Sequence, residues 1–109
     1  MGTSEALKQL RKFVAKRDWE KFHTRENLAK SISIEAAELL ELYQWGDEPD
    51  LQRVKEELAD VLAYCFHLAD KIGVSPEELI MAKIKLNEAK YPVAKSKGKA
   101  DKYEIADEL

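Results

Sequence analysis

Two pairs of acidic residues, each spaced three apart, are the side chains of this sequence best suited to chemistry. Glu35 and Glu38 form one pair, and Glu57 and Asp60 form the other. Residues three apart on a helix lie about one turn from each other, so each pair projects from one side of its helix. Four carboxylates that meet would repel one another and lose hydration, and a bound cation would offset both costs. Because the ligands are oxygens without Cys or His, the pattern predicts Mg²⁺, with Mn²⁺ as a substitute, rather than Zn²⁺.

The helical period places these acids where apolar or border residues are expected. At about 100° per residue, Glu35 falls within about 20° of Leu28, inside the apolar stripe of its helix. Glu57 falls between Val54 and Val61 in the same way. The alternative is that these are ordinary solvated helix acids, since the chain has 21 acidic residues and such spacings arise by chance.

Four helices and a tail account for the chain. Apolar spacing and capping residues predict helices over about 4–17, 24–43, 50–72 and 75–91. Thr24 is a predicted N-cap, Gly73 a predicted C′ residue, and Pro76 a predicted first-turn proline. We therefore expect an all-α, four-helix bundle-like domain over residues 1–92. A polar tail over 93–109 would follow, either flexible or folded as an arm over a site.

The short turn from Trp45 to Pro49 makes the second and third helices antiparallel neighbours. At about 1.5 Å per residue, Glu38 lies about 9 Å before that turn and Glu57 about 12 Å after it. Glu38 should then face Glu57, and Glu35 should face Asp60. The two helices would form a metal-binding hairpin.

Composition limits the partners. With 109 residues and a net charge of −3, the chain fits one domain and lacks the basic surplus that nucleic-acid polymers require. Cys65 is the only cysteine and no apolar run is long enough for a bilayer, so we expect a cytoplasmic protein without membrane contact. Apolar residues off the main stripes, including Leu40, Leu62 and Phe66, predict a homodimer or homotetramer.

Several side chains could contact a nucleotide. Trp19, His23 and Trp45 flank the second helix and could stack on a base, while Tyr64 follows Asp60 by one turn. The other reading is that the aromatic residues cover the end of the bundle. On the fourth helix, a polar stripe could contact phosphates or could simply be solvated; it comprises Lys83, Asn87, Lys90 and Tyr91. His67 receives no predicted role. Neither glycine-rich phosphate-binding motif occurs in the sequence.

Longer motifs add a resemblance to a known family. These are RDWEKFH at 17–23, ENL at 26–28, ELYQWG at 41–46, ELADVLAY at 57–64, KLNEAKYPV at 85–93 and KGKADKY at 97–103. In this order, and together with the ExxE and ExxD pairs, they resemble the all-α, MazG-like nucleoside triphosphate pyrophosphohydrolases. The similarity is closest to the branch that contains dCTP pyrophosphatase.

The resemblance implies Mg²⁺ ligands at Glu35, Glu38, Glu57 and Asp60. As a separate hypothesis about the mechanism, Glu38 is the carboxylate expected to accept a proton from water. It also implies substrate contacts at Trp19, His23, Trp45 and Tyr64, with Lys83, Asn87, Lys90 and Tyr91 as further contacts, in an oligomer. The expected reaction converts a nucleoside triphosphate, dCTP or a modified dNTP, to the monophosphate and pyrophosphate, which would clear unwanted nucleotides.

Two departures from the vertebrate dCTP enzymes leave the base open. Those enzymes have a His on the first helix where this chain has Leu10, and a longer connection between the second and third helices. The remaining alternatives are a related enzyme acting on dUTP or phosphoribosyl-ATP, and a non-catalytic helical oligomerisation module whose acids are solvated.

Overall fold

The computed structural model describes residues 3–99, and its ordered elements are helices. They are α1 (Thr3–Lys16), a 3-10 turn (Glu20–Phe22), α2 (Arg25–Glu41), α3 (Leu51–Ile72), α4 (Pro76–Lys90) and α5 (Val93–Ser96). No strand occurs within these residues, so the predicted all-α class is confirmed. None of the helices between residues 3 and 99 is long and apolar enough to cross a lipid bilayer.

Side-chain caps determine where the two central helices begin. The Thr24 hydroxyl accepts a hydrogen bond from the Asn27 N–H at 3.1 Å, and the Asp50 carboxylate accepts one from the Gln52 N–H at 3.0 Å. Each cap satisfies an amide that has no partner inside the helix. The predicted N-cap at Thr24 is confirmed, and α2 ends at Glu41, two residues before the predicted end.

Gly73 ends α3 in the left-handed conformation, with φ at 92°. Its N–H donates to the Asp70 carbonyl at 3.1 Å, and the Val74 N–H donates to the Ala69 carbonyl at 3.1 Å. This pair of bonds is the Schellman arrangement, in which a residue without a Cβ avoids the steric cost of positive φ. The predicted C′ glycine is confirmed.

Helices α2 and α3 pack against each other as an antiparallel hairpin, and α1 contacts α3. The direction follows from two pairings: Glu35 lies beside Asp60, whereas Leu28, earlier on α2, lines a cavity with His67, later on α3. Among the described residues the fully buried apolar side chains are few. Val14, Leu28 and Ala69, one from each of the three helices, form this small core.

The chain divides after Ser75 into two compact units. The first contains α1, α2 and α3. The second contains α4 and a short helix, α5, which the polar composition of the tail did not predict. The rest of the predicted tail, residues 100–109, lies outside the described residues, so an arm over the site and a domain limit at residue 92 stay predictions.

Replacing Gly73 by Ala should lower the free energy of unfolding by about 1–2 kcal/mol, because an L-residue is strained at this positive φ. No atom lies within 4 Å of the position that a Cβ would take, so strain is the only cost. Gly46→Ala is the matched control, since Gly46 also has open space but no positive φ. Urea unfolding followed by circular dichroism measures both, and equal midpoints for the two variants would contradict the assignment.

Candidate metal centre and adjoining cavities

Three carboxylates from the two arms of the hairpin converge on one point. Glu35 of α2 and Glu57 and Asp60 of α3 each offer an oxygen, and these three oxygens lie within 4.8 Å of one another. Glu35 and Glu57 are half-buried, and Asp60 is exposed. We refer to these three residues as the carboxylate cluster. Its spacing suits one cation held between the arms.

Burial and mutual repulsion change the protonation of the cluster. The pKa of Glu35 is raised to about 7, first by burial and then by the adjacent Glu38, Asp60 and Glu57 carboxyls. The pKa of Glu57 is also raised, again first by burial and then by Glu38, with Arg53 acting in the opposite direction. Both effects disfavour negative charge. A divalent cation would favour it, so cation binding and proton release are coupled at this position.

Two oxygens of the cluster are buried without a hydrogen-bond partner. They are the Oε2 atoms of Glu35 and Glu57, and within residues 3–99 no donor reaches either of them. A buried carboxylate oxygen without a partner loses its hydration, and no hydrogen bond or ion compensates for that loss. The donor set consists only of oxygens, which suits Mg²⁺ or Mn²⁺ better than Zn²⁺. The residues present therefore fit a hard divalent cation.

Glu38 lies beside the cluster rather than within it. Its carboxyl is close enough to raise the pKa values of both Glu35 and Glu57. Its side chain is nevertheless exposed, and it is not one of the three residues whose oxygens converge. The expected facing pairs occur, because Glu38 acts on Glu57 across the hairpin and Asp60 acts on Glu35. Its roles as fourth ligand and proton acceptor stay predictions.

A cavity next to the cluster gathers three of the predicted substrate residues. Trp19, His23 and Tyr64 line it together with Asp60, and its volume is about 360 Å³. We call it the aromatic cavity. Its size is within the range of small-molecule sites, and its wall reaches the carboxylate cluster through Asp60.

The position of Trp19 depends on a turn that the sequence did not reveal. Asp18 has a positive φ of 56° directly after α1, and the Trp19 N–H donates back to the Val14 carbonyl at 3.1 Å. This reversal brings the Trp19 ring edge-on to Phe13, with 5.8 Å between ring centroids. The Arg17 guanidinium lies 3.6 Å from the Phe13 ring centroid and adds a cation–π contact.

The structure does not bring Trp45 to this cavity. Trp45 lies in the connection between α2 and α3, and 91% of its side chain is exposed. It therefore stands apart from Trp19, His23 and Tyr64. Its predicted contact with a base is not explained by the geometry of a single chain and stays a prediction.

The four predicted contacts on α4 and after it belong to the second unit. Lys83 and Lys90 are exposed, whereas Asn87 and Tyr91 are half-buried. The Tyr91 N–H donates to the Asn87 carbonyl at 2.7 Å, and the Lys90 ammonium lies 5.5 Å from the Tyr91 ring centroid. These contacts order the end of α4. Their predicted binding of phosphates stays a prediction.

His67 is a residue of the cavity that the sequence reasoning missed. Its ring centroid lies 5.0 Å from that of His23 and 6.2 Å from that of Tyr64. Tyr64 and His67 are three apart on α3, and Asp60 precedes His67 by seven, so all three lie on one face of the helix. The sequence spacing of Asp60, Tyr64 and His67 could have indicated this shared face. It was missed because His67 lies outside the apolar stripe of α3 that predicts the core.

The architecture defines a class of protein: an all-α protein whose central hairpin directs carboxylates between its arms. A model of the MazG-like family matches residues 30–105. The chain belongs to the MazG-like family, so the family resemblance predicted from the sequence motifs is confirmed.

Individual relatives agree with this assignment. The dCTP pyrophosphatase 1 of Bos taurus is 38% identical over 112 residues, and that of Homo sapiens is 35% identical over the same length. The matches cover 93% of this chain but 66% of each relative, so the chain spans just under two thirds of their length. A solved pyrophosphatase structure from Archaeoglobus fulgidus is 47% identical, with a TM-score of 0.73, covering 82% of this chain and 91% of that one.

Metal-free protein should lose stability as the pH rises from about 4.5 to about 7, since folded Glu35 retains its proton over a range in which the unfolded side chain does not. Glu35→Gln should flatten this fall, because an amide does not titrate. Thermal melts in EDTA between pH 5 and 8 measure the effect, with Glu41→Gln, exposed on the same helix, as the control. An unchanged slope in Glu35→Gln would contradict the assignment.

Proposed function

We propose that this protein is a Mg²⁺-dependent nucleoside triphosphate pyrophosphohydrolase. It converts a (d)NTP, in particular dCTP or a modified dNTP, to the monophosphate and pyrophosphate, and so removes unwanted nucleotides from the pool. The observation that carries the proposal is the carboxylate cluster of Glu35, Glu57 and Asp60, with two buried oxygens that have no protein donor. The names of the pyrophosphatase relatives support the reaction class.

The carboxylate cluster would hold Mg²⁺, with Glu38 as a fourth acid at its edge and Mn²⁺ as a substitute. When bound, the ion supplies charge neutralisation for the phosphate oxygens and an activated water. Glu38 would accept the proton of the attacking water; its exposed carboxyl, which lies next to Glu35 and Glu57, supports this role. Glu35, Glu57 and Asp60 would hold the ion at a fixed position between the two helices, and such fixed positioning of reacting groups supplies much of the rate in phosphoryl transfer.

The aromatic cavity would receive the nucleoside. It begins at Asp60, so a triphosphate held at the carboxylates can extend its sugar and base into it. Tyr64 follows Asp60 by one helical turn and would contact the sugar, and Trp19 and His23, which line the same cavity, would stack on the base. A cytoplasmic location fits this substrate and the free, half-buried Cys65.

Pyrophosphate release tests the proposal. With Mg²⁺ the protein should release pyrophosphate from at least one triphosphate in a panel of natural, oxidised and methylated dNTPs, dUTP and phosphoribosyl-ATP, and EDTA should abolish the release. Asp60→Asn and Glu38→Gln should each lower kcat at least tenfold, as expected for loss of a ligand or a proton acceptor.

Glu41→Gln is the matched control, because Glu41 lies on α2 but outside the cluster, and its activity should equal that of the wild type. Preference for dUTP or phosphoribosyl-ATP would keep the enzyme class and change the substrate. Inertness toward the whole panel, together with no heat of Mn²⁺ binding in calorimetry, would favour a non-catalytic oligomerisation module.

Exposed apolar surface supports a homodimer or homotetramer. A groove of about 490 Å³ between α1 and α3 is almost entirely apolar, with Leu10, Phe13, Leu62 and Phe66 among its lining residues. We call it the apolar groove. Leu62 is half exposed there although it is a large aliphatic residue. A small core beside a groove of this kind is typical of a chain that completes its packing with a second copy.

Sedimentation should therefore give a mass that is a multiple of the single chain. Leu62→Glu should shift the protein toward monomer, because a charge in an apolar interface loses hydration without a partner. Gln52→Glu introduces the same charge at an exposed position of α3 and should leave the mass unchanged. A wild-type protein that sediments as a monomer at micromolar concentration would exclude the assembly.

A further inference from the structure

Next to the aromatic cavity lies a second cavity that shares three of its lining residues, Val14, His23 and His67. It has a volume of about 340 Å³, and His23 and His67 line both cavities. The first reaches Asp60 at one end, and the second reaches Arg11 and Asp70 at the other. We call the second one the polar cavity. His67 thus stands at the junction between a wall suited to ring stacking and a group of charged side chains.

His67 is a neutral hydrogen-bonding group at this junction. Its pKa is lowered, first by burial and then by the neighbouring His23, and Asp70 offsets this only in part. A neutral imidazole carries one N–H donor and one nitrogen acceptor. The rings of His23 and Tyr64 lie beside it, at 5.0 Å and 6.2 Å between centroids. The junction therefore offers a ligand one donor and one acceptor next to two other rings.

Asp70 supplies an acceptor one turn further along α3. The Arg11 guanidinium donates to both Asp70 oxygens, with 3.0 Å from Nε to Oδ2, and this contact lowers the pKa of the Asp70 carboxyl. An ionised carboxylate has no proton to donate and keeps further lone pairs after it has accepted from Arg11. Nε and Nη2 of Arg11 are both directed at Asp70, so the guanidinium holds the carboxylate in place at the wall of the polar cavity, where its remaining lone pairs can accept from a ligand.

The distance along α3 matches a nucleoside that begins at the metal centre. At about 1.5 Å per residue, His67 lies about 10 Å and Asp70 about 15 Å beyond Asp60 along the helix axis. Asp60, Tyr64 and His67 therefore follow one another in the order phosphate, sugar, base. A base in the aromatic cavity would meet His67, and its far edge would lie on the side of the polar cavity, which contains Asp70.

We propose that His67 and Asp70 are specificity-determining residues that read the far edge of the base and favour an exocyclic amino group over a keto group. The proposal rests on the function proposed above and assigns its base preference to particular side chains. An amino group donates to Asp70, while the adjacent ring nitrogen accepts from the His67 N–H. A keto base instead directs its carbonyl oxygen at a carboxylate, which repels it.

Two substrates that differ only along this edge of the base test the proposal: dCTP carries an amino group beside a ring nitrogen that accepts, whereas dUTP carries a keto oxygen beside a ring N–H. The wild type should prefer dCTP in kcat/KM. Asp70→Asn should lower the dCTP to dUTP ratio about tenfold or more, because the new amide can donate to the keto oxygen. His67→Phe keeps a ring in the junction but removes both nitrogens, and it should lower kcat/KM for dCTP about tenfold with a smaller effect on dUTP.

Lys12→Ala is the matched control, since Lys12 is exposed on α1 and lines neither the aromatic nor the polar cavity, and it should leave the substrate ratio unchanged. Circular dichroism melts show whether Asp70→Asn still folds once its contact with Arg11 is altered, and His67→Phe leaves that contact intact. Calorimetry with dCMP and dUMP gives the same comparison without turnover, and the variants should narrow the difference in Kd between the two.

The outcomes separate this inference from the function on which it rests. If the wild type hydrolyses dCTP and dUTP equally, or if folded variants lose activity equally toward both, then His67 and Asp70 do not read the base, although the protein remains a pyrophosphohydrolase. If the wild type releases pyrophosphate from no triphosphate and binds no Mn²⁺, the proposed function itself is wrong.

Discussion

The burial of acidic side chains next to one another between two packed helices is the constraint on which the rest of this structure depends. Glu35 and Glu57 are pressed into the hairpin with oxygens that no described donor reaches, and their raised pKa values record the cost of that placement. The hairpin tolerates this arrangement because caps at Thr24 and Asp50 fix where each arm begins. A cation-dependent site requires acidic side chains that are held close together before the ion binds. The ion then offsets an electrostatic and desolvation cost that the folded protein already carries.

The elements that the sequence predicted well are those that local physics determines. Helical periodicity, the Thr24 cap and the glycine at position 73 act over a few residues, so the helices appear at nearly the expected positions. The convergence of Glu35 with Asp60 was also accessible, because a short turn and a fixed rise per residue place both at one height. Three of the four predicted acids share a focus, and Glu38 lies just outside it.

What the sequence did not reveal depends on contacts between distant segments. His67 gained its place only when the connector after α1 brought His23 against α3, and Arg11 meets Asp70 across 59 positions of chain. The sequence also could not predict that Trp45 is exposed, because an aromatic residue in a turn can point inward or outward with the same local propensity. Such features follow from how helices are joined, and periodicity within one helix carries no information about that.

The left-handed residue after α1 has a consequence for how this position can change through evolution. Asp18 occupies a conformation that costs most residue types about 1–2 kcal/mol, and only glycine, asparagine and aspartate adopt it routinely. Mutational tolerance at this position should therefore be narrow even though the side chain is exposed and lies outside the carboxylate cluster. A bulky or β-branched replacement of Asp18 would redirect the chain before Trp19. It would thereby move Trp19, which lines the aromatic cavity, although residue 18 does not itself line that cavity.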